Sequence, residues 1–215
     1  MKFVETLIKS IVDNKDMPKV QVEREISPIL EIFIESFMNN LAINNKVEEG
    51  TYKFIAPEFP LSNEDENNRS VNIDYLLLNE KSNTLYFIEL KTDSSSFKLS
   101  QYEYYKNTIH NKTTTELYNF LKDLENKKYK NYKIKVVDES ISEEEFKKIK
   151  HIKLIYLAPK KLTLENTRRS GAGQDAINSI EFITFEDLHM FNDIDHEFSA
   201  EWNVITSHLV KLDKN

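Results

Sequence analysis

A chain of 215 residues with 40% hydrophobic and 30% charged residues can bury a substantial core, which excludes collagen-like, mucin-like and fully disordered readings. Its formal charge of −7 excludes a broad basic coat that grips nucleic acid by bulk electrostatics, so an anionic ligand has to be met by local charge or by a bound cation. The lack of cysteine removes disulfides, zinc ribbons, iron–sulfur clusters and thiol nucleophiles, and the glycines at 50, 171 and 173 do not make a nucleotide-cradling loop.

Phe3, Val4, Leu7, Ile8, Ile11 and Val12 recur at helical spacing and predict an amphipathic helix over 2–14, ended before Asp16-Met17-Pro18. The pattern restarts at Val20 and runs through Ile26, Leu30, Phe33, Phe37 and Leu41, a longer helix to about Asn44. Pro28 leaves two arrangements open there: Ser27-Pro28 as N-cap and first turn, or a continuous helix carrying Pro28 on its outer face. Tyr52 to Leu61 reads as a strand, with Pro57 and Pro60 pointing to its end or to a sheet edge. Beyond the acidic stretch 62–69, Val71 to Leu78 and Thr84 to Lys91 are dense apolar strands joined through Asn79 to Asn83, a hairpin with a five-residue polar loop.

Ser100 with Glu103 fits a capping box opening a helix near Gln101, and Thr113 with Glu116 fits another, running to about Asn126. Ile141 to Lys150 predicts a short charged helix, and His151 to Ala158 a strand stopped by Pro159. Ile180 to Phe185 predicts a last strand, and Trp202 to Leu212 a closing helix. This order implies an α/β or α+β fold, a mixed sheet flanked by helices, in a single domain over 1–215. The five histidines lack the His-x-x-x-His spacing of a helical zinc site. No apolar run reaches about 18 residues and no signal-peptide core opens the chain, so a cytoplasmic protein is expected.

Asp74 sits inside the first hairpin strand, and Glu89 and Lys91 end the second. A carboxylate embedded in an apolar strand is costly unless it is paired or binds metal. Alternation projects Glu89 and Lys91 to one face and Leu90 to the other, and the hairpin pairs Asp74 roughly opposite Glu89. Convergent carboxylates suit a hard divalent cation such as Mg²⁺, and a neighbouring lysine can orient or deprotonate a water. The plain alternative is a buried salt bridge of Lys91 with either acid.

Asp74 followed by Glu89-Leu90-Lys91 resembles the bipartite motif of the PD-(D/E)XK nuclease superfamily, and Gln101-x-x-x-Tyr105 further resembles its RecB-like branch. The motif's proline is replaced here by Ile73. The resemblance implies a restriction-endonuclease-like core over about 20–158, with an N-terminal helix and a C-terminal strand–helix extension. It implies that Asp74, Glu89 and the Leu90 carbonyl bind Mg²⁺ or Mn²⁺, that Lys91 assists the attacking water, and that Gln101 and Tyr105 position metal ligands or substrate. The family often adds a glutamate from its first helix. At about 100° per residue Glu23 falls within roughly 40° of the centre of the apolar stripe, whereas Glu25 and Glu31 fall well outside it. Glu23 is therefore the expected helix carboxylate, and a helix-start glutamate favoured by the macrodipole is the alternative.

Lys127 to Lys135 interleaves five lysines with two tyrosines, as a strand-tracking, base-stacking surface would. A solvated helix end completed by lysines is the other reading. Arg168 and Arg169 lie in a loop long enough to clamp a phosphate, and Arg69 precedes the Asp74 strand. The expected function is a metal-dependent nuclease acting on DNA; the alternative is a nuclease-like module that binds nucleic acid or protein without catalysis.

Overall fold

The structure, a computed structural model, describes residues 2–15, 21–61, 71–162 and 181–214. Helices α1 (Lys2–Asp13) and α2 (Val22–Ile43) precede strands β1 (Tyr52–Leu61), β2 (Val71–Asn79) and β3 (Thr84–Leu90). Helices α3 (Leu99–Asn111), α4 (Thr114–Asp123), α5 (Lys127–Ser140) and α6 (Glu143–Lys148) follow, then β4 (His151–Leu157), β5 (Glu181–Ile183), α7 (Phe185–Met190) and α8 (Ser199–Leu209). The fold is mixed α/β: one five-stranded mixed sheet in the order β1-β2-β3-β4-β5, flanked by helices. The β1–β2 and β2–β3 pairs are antiparallel and the β4–β5 pair is parallel. The chain divides into two compact units, one of residues 1–49, 90–101 and 155–215, the other of residues 50–89 and 102–154.

In the first unit α2 supplies the core. It is a continuous helix with Pro28 inside and exposed, which settles the open choice in favour of the outer-face proline. Among the described residues α2 is the one helix long and apolar enough to cross a membrane by length and composition, with mean hydropathy 1.2. Its apolar face is buried here, with Leu30, Ile34, Met38 and Leu41 fully inaccessible, as a core helix requires. Phe37 stacks on Trp202 of α8 at 5.4 Å, and Asn40 donates to the Phe191 carbonyl at 2.7 Å, fastening the C-terminal segment to α2. On α1 only Ile8, Ile11 and Val12 are buried; Phe3 and Leu7, predicted on the same stripe, are 77% and 41% exposed because α1 rests on its neighbours by one narrow edge. The strand expected through Phe185 stops at Ile183: Thr184 forms a capping box with Asp187 and turns Phe185 into α7. Half-buried Asp213 accepts from the amides of Lys160 and Glu186; desolvation is the larger influence and holds its carboxyl above the ordinary range.

In the second unit β1, which carries Pro57 and Pro60, occupies the sheet edge, the position where a strand tolerates proline. The β2–β3 hairpin is one residue tighter than expected, because Asn79 pairs with Thr84 inside the ladder. Asn79 Oδ1 accepts from the amides of Lys81 and Ser82 at 3.1 and 3.2 Å and so shapes the turn. A Cβ at Gly50 would lie 2.1 Å from that Oδ1, which is why glycine stands there. The capping box at Thr113 and Glu116 opens α4 as expected. The one expected at Ser100, which belongs to the first unit, does not: α3 begins at Leu99, so Ser100 is already helical. Asp93 caps a short turn instead, accepting from Ser95 N at 2.6 Å, which starts the helical path earlier. The lysine-rich segment is not a helix end but the opening of α5, whose first turn Asn126 caps by accepting from Tyr129 N. Phe146 of α6 meets Phe59 and Tyr118 at 6.1 and 5.6 Å, joining β1 to α4.

Candidate functional site

The second unit carries the carboxylates. Tyr75 pairs with Ile88 across the hairpin, the register expected from the sequence, and this pairing ends one residue short of Asp74 and Glu89. Glu89 is 2% exposed. Tyr105, on the buried face of α3, donates its hydroxyl to Glu89 Oε2 at 2.8 Å and reaches the Asn72 carbonyl at 3.2 Å. A buried carboxylate is thus held in one orientation by a phenol.

Three further residues, from β1, β2 and α5, surround this end of the hairpin. Asn72 lies two residues before Asp74 on the same strand face, and its Nδ2 donates to Glu58 Oε2 at 3.3 Å. Its Oδ1 is buried and has no hydrogen-bond partner among the described residues. Glu58 has a left-handed φ of +46° and falls between the Pro57–Tyr75 and Phe59–Ile73 pairs, hence opposite Asp74 across β1 and β2. Tyr129 of α5 lies against the Asn72 side chain; burial pushes its hydroxyl up, the hydrogen bond from Asn72 acts against that, and the Glu58 charge adds to it. Nothing in the sequence marks Asn72 or Glu58, and Tyr129, one of the two tyrosines of the lysine-rich segment, meets Asn72 only through the packing of α5.

The first unit carries the lysine. Lys91, 5% exposed, donates its backbone amide to the Leu157 carbonyl at 2.8 Å, extending the strand pairing beyond β3. Its Nζ lies 4.0 Å from Glu23 Oε2 of α2. On that helix Glu23 is placed beside Lys91, and Glu25 is exposed. Leu90 is fully buried at the end of β3. Gln101 is half-buried and lies four residues before Tyr105 on α3. Arg69, Arg168 and Arg169 lie outside the described residues.

Magnesium is commonly held by one or two carboxylates with water completing its shell, rather than by an all-protein cage. Asp74, Glu89 and the orphaned Asn72 oxygen fit that donor chemistry. Among the described residues no group of three or more His, Asp or Glu side chains is placed to cage a metal. Compared with known proteins, the chain has no matching family model and no significant match among curated proteins or solved structures.

Proposed function

We propose that this chain is a metal-dependent nuclease that hydrolyses phosphodiester bonds in DNA on a restriction-endonuclease-like core of the PD-(D/E)XK type. The observation that carries the reading is a buried Glu89 oriented by the Tyr105 hydroxyl, at the end of a hairpin whose register runs as far as Tyr75 and Ile88, the chain neighbours of Asp74 and Glu89. In this reading Asp74 and Glu89, with the Leu90 carbonyl, hold Mg²⁺ or Mn²⁺, which when bound polarises the scissile phosphate and lowers the pKa of a coordinated water. Lys91 orients the attacking water and steadies charge developing on the phosphate, and Glu23 stands 4.0 Å from the Lys91 ammonium. Gln101, Arg168 and Arg169 meet the substrate.

The direct test is a nuclease assay on linear and circular DNA with Mg²⁺, Mn²⁺ and EDTA. Cleavage with either metal and none in EDTA is expected; binding of DNA without cleavage under every metal condition would replace the enzyme by a binding module. Tyr105→Phe should keep the fold while removing the bond that orients Glu89. It is expected to cost about 1–2 kcal/mol of stability and to weaken Mg²⁺ binding about 10-fold. Thermal melts across a Mg²⁺ titration measure both, and an unshifted midpoint would remove Tyr105 from the positioning role.

A further inference from the structure

We infer that Asn72 is a further member of the cation site, its side-chain oxygen accepting a hydrogen bond from a water of bound Mg²⁺ or Mn²⁺, and that Glu58 is the positioning residue that holds the amide in the orientation this requires. The inference rests on the reading of Asp74 and Glu89 as cation ligands and names the neutral part of the same site.

The Asn72 amide is fixed at one end. Its Nδ2 donates to Glu58 Oε2 at 3.3 Å, and the Tyr129 hydroxyl takes a further hydrogen bond from the same side chain. An ionised carboxylate accepts and never donates, so it selects the nitrogen and turns the oxygen the other way. In the sheet β2 lies between β1, which bears Glu58, and β3, which bears Glu89, so the oxygen is turned away from β1. That oxygen is fully buried and has no hydrogen-bond partner among the described residues. A desolvated acceptor without a donor is costly, and a donor brought by a ligand removes the cost.

Asn72 also meets the carboxylates. The Tyr105 hydroxyl lies 2.8 Å from Glu89 Oε2 and 3.2 Å from the Asn72 carbonyl, so one phenol touches both residues. Asp74 stands two residues after Asn72 on the same strand face, and both are half-buried, so this end of β2 borders solvent. The waters of a hydrated divalent cation are donors, and an ionised Asp or Glu offers only acceptors. A neutral oxygen beside two carboxylates accepts from that shell without adding to their repulsion.

Glu58 supplies an independent observation. Its φ of +46° is left-handed, inside a strand. The other described non-glycine residues with such a φ, Asn45 and Asn83, are asparagines, which adopt it more readily than glutamate. Glu58 is exposed, so packing does not account for a glutamate there, whereas its bond to Asn72 does.

Calorimetric titration of Mg²⁺ and Mn²⁺ into the full chain, with melting temperatures of the metal-free proteins to check folding, tests this. The native protein should bind a cation, and Asp74→Ala should abolish the binding. Asn72→Leu should weaken it at least about 10-fold, the usual effect of losing an outer-shell partner. Asn72→Ala repeats the test with a smaller side chain. Glu58→Gln should weaken binding by about 10-fold as well, because an amide donates as readily as it accepts and lets either end of Asn72 face it. In Asn72→Asp both ends are oxygen and orientation is immaterial, so adding Glu58→Gln should change affinity far less than it does in the native background. Native cation affinity in folded Asn72→Leu and Asn72→Ala, with binding still lost in Asp74→Ala, would overturn the inference and leave the metal reading standing. Equal losses from Glu58→Gln in both backgrounds would overturn the positioning role. Absence of Asp74-dependent cation binding in the native protein would overturn the inference together with the reading beneath it. Asn72-dependent cation binding without cleavage of DNA would keep the inference and discard the nuclease.

Discussion

Lys91→Ala is expected to lower phosphodiester turnover by roughly two to four orders of magnitude while leaving DNA affinity nearly unchanged, because a group that orients water or steadies developing charge acts mainly in the transition state. The substitution should fold. The Lys91 backbone amide keeps its bond to Leu157, and the Glu23 side chain left behind is 35% exposed, so water replaces the lost cation. Two other roles give different results. A phosphate-gripping lysine in a non-catalytic binder would show weaker binding and a salt slope reduced by about one contact, with no hydrolysis to lose. A lysine that only neutralises buried carboxylates would show a lower melting temperature. Hydrolysis, affinity against salt and thermal melting, measured on this one variant, separate the three. Unchanged hydrolysis in a folded, metal-binding Lys91→Ala protein would overturn the assigned role.

Asp74→Ala and Glu89→Gln are expected to abolish the stabilisation conferred by divalent cations while each protein stays folded. A cation at about 100 times its Kd stabilises the native state by about 2.7 kcal/mol, which for a domain of this size is a rise in Tm of roughly 5–10 °C. Both variants should lose that rise. Glutamine is the informative replacement at Glu89, because it keeps an acceptor for the buried Tyr105 hydroxyl and removes only the charge. Without cation, Asp74→Ala should melt at or above the native temperature, since it relieves repulsion between facing carboxylates. Melts with and without Mg²⁺ decide it; a variant that keeps the native metal-induced shift would strike its residue from the ligand set.

Legibility in the sequence followed the range of the interaction. The register of the β2–β3 hairpin was readable because strand alternation has a period of two and a one-residue slip would turn the apolar residues of β2 and β3 away from the core. The β1 edge was readable because proline has no amide to give a neighbour, and the start of α4 because a capping box is satisfied within four residues. Other features depended on contacts between segments far apart in the chain. The helix α5 hid in a lysine-rich run because it buries only Lys133 and Val137 and stands on its Asn126 cap and its seat against β1. Which half of the α1 stripe is buried was decided by the shape of the surface beneath it, and propensity does not encode that. Asn72, Glu58 and Tyr129 became neighbours of Asp74 only once β1, β2 and α5 were packed together. Local hydrogen bonding and side-chain period wrote the strands and caps into the chain; the shell around the carboxylates was set by tertiary packing, because its members share no local pattern.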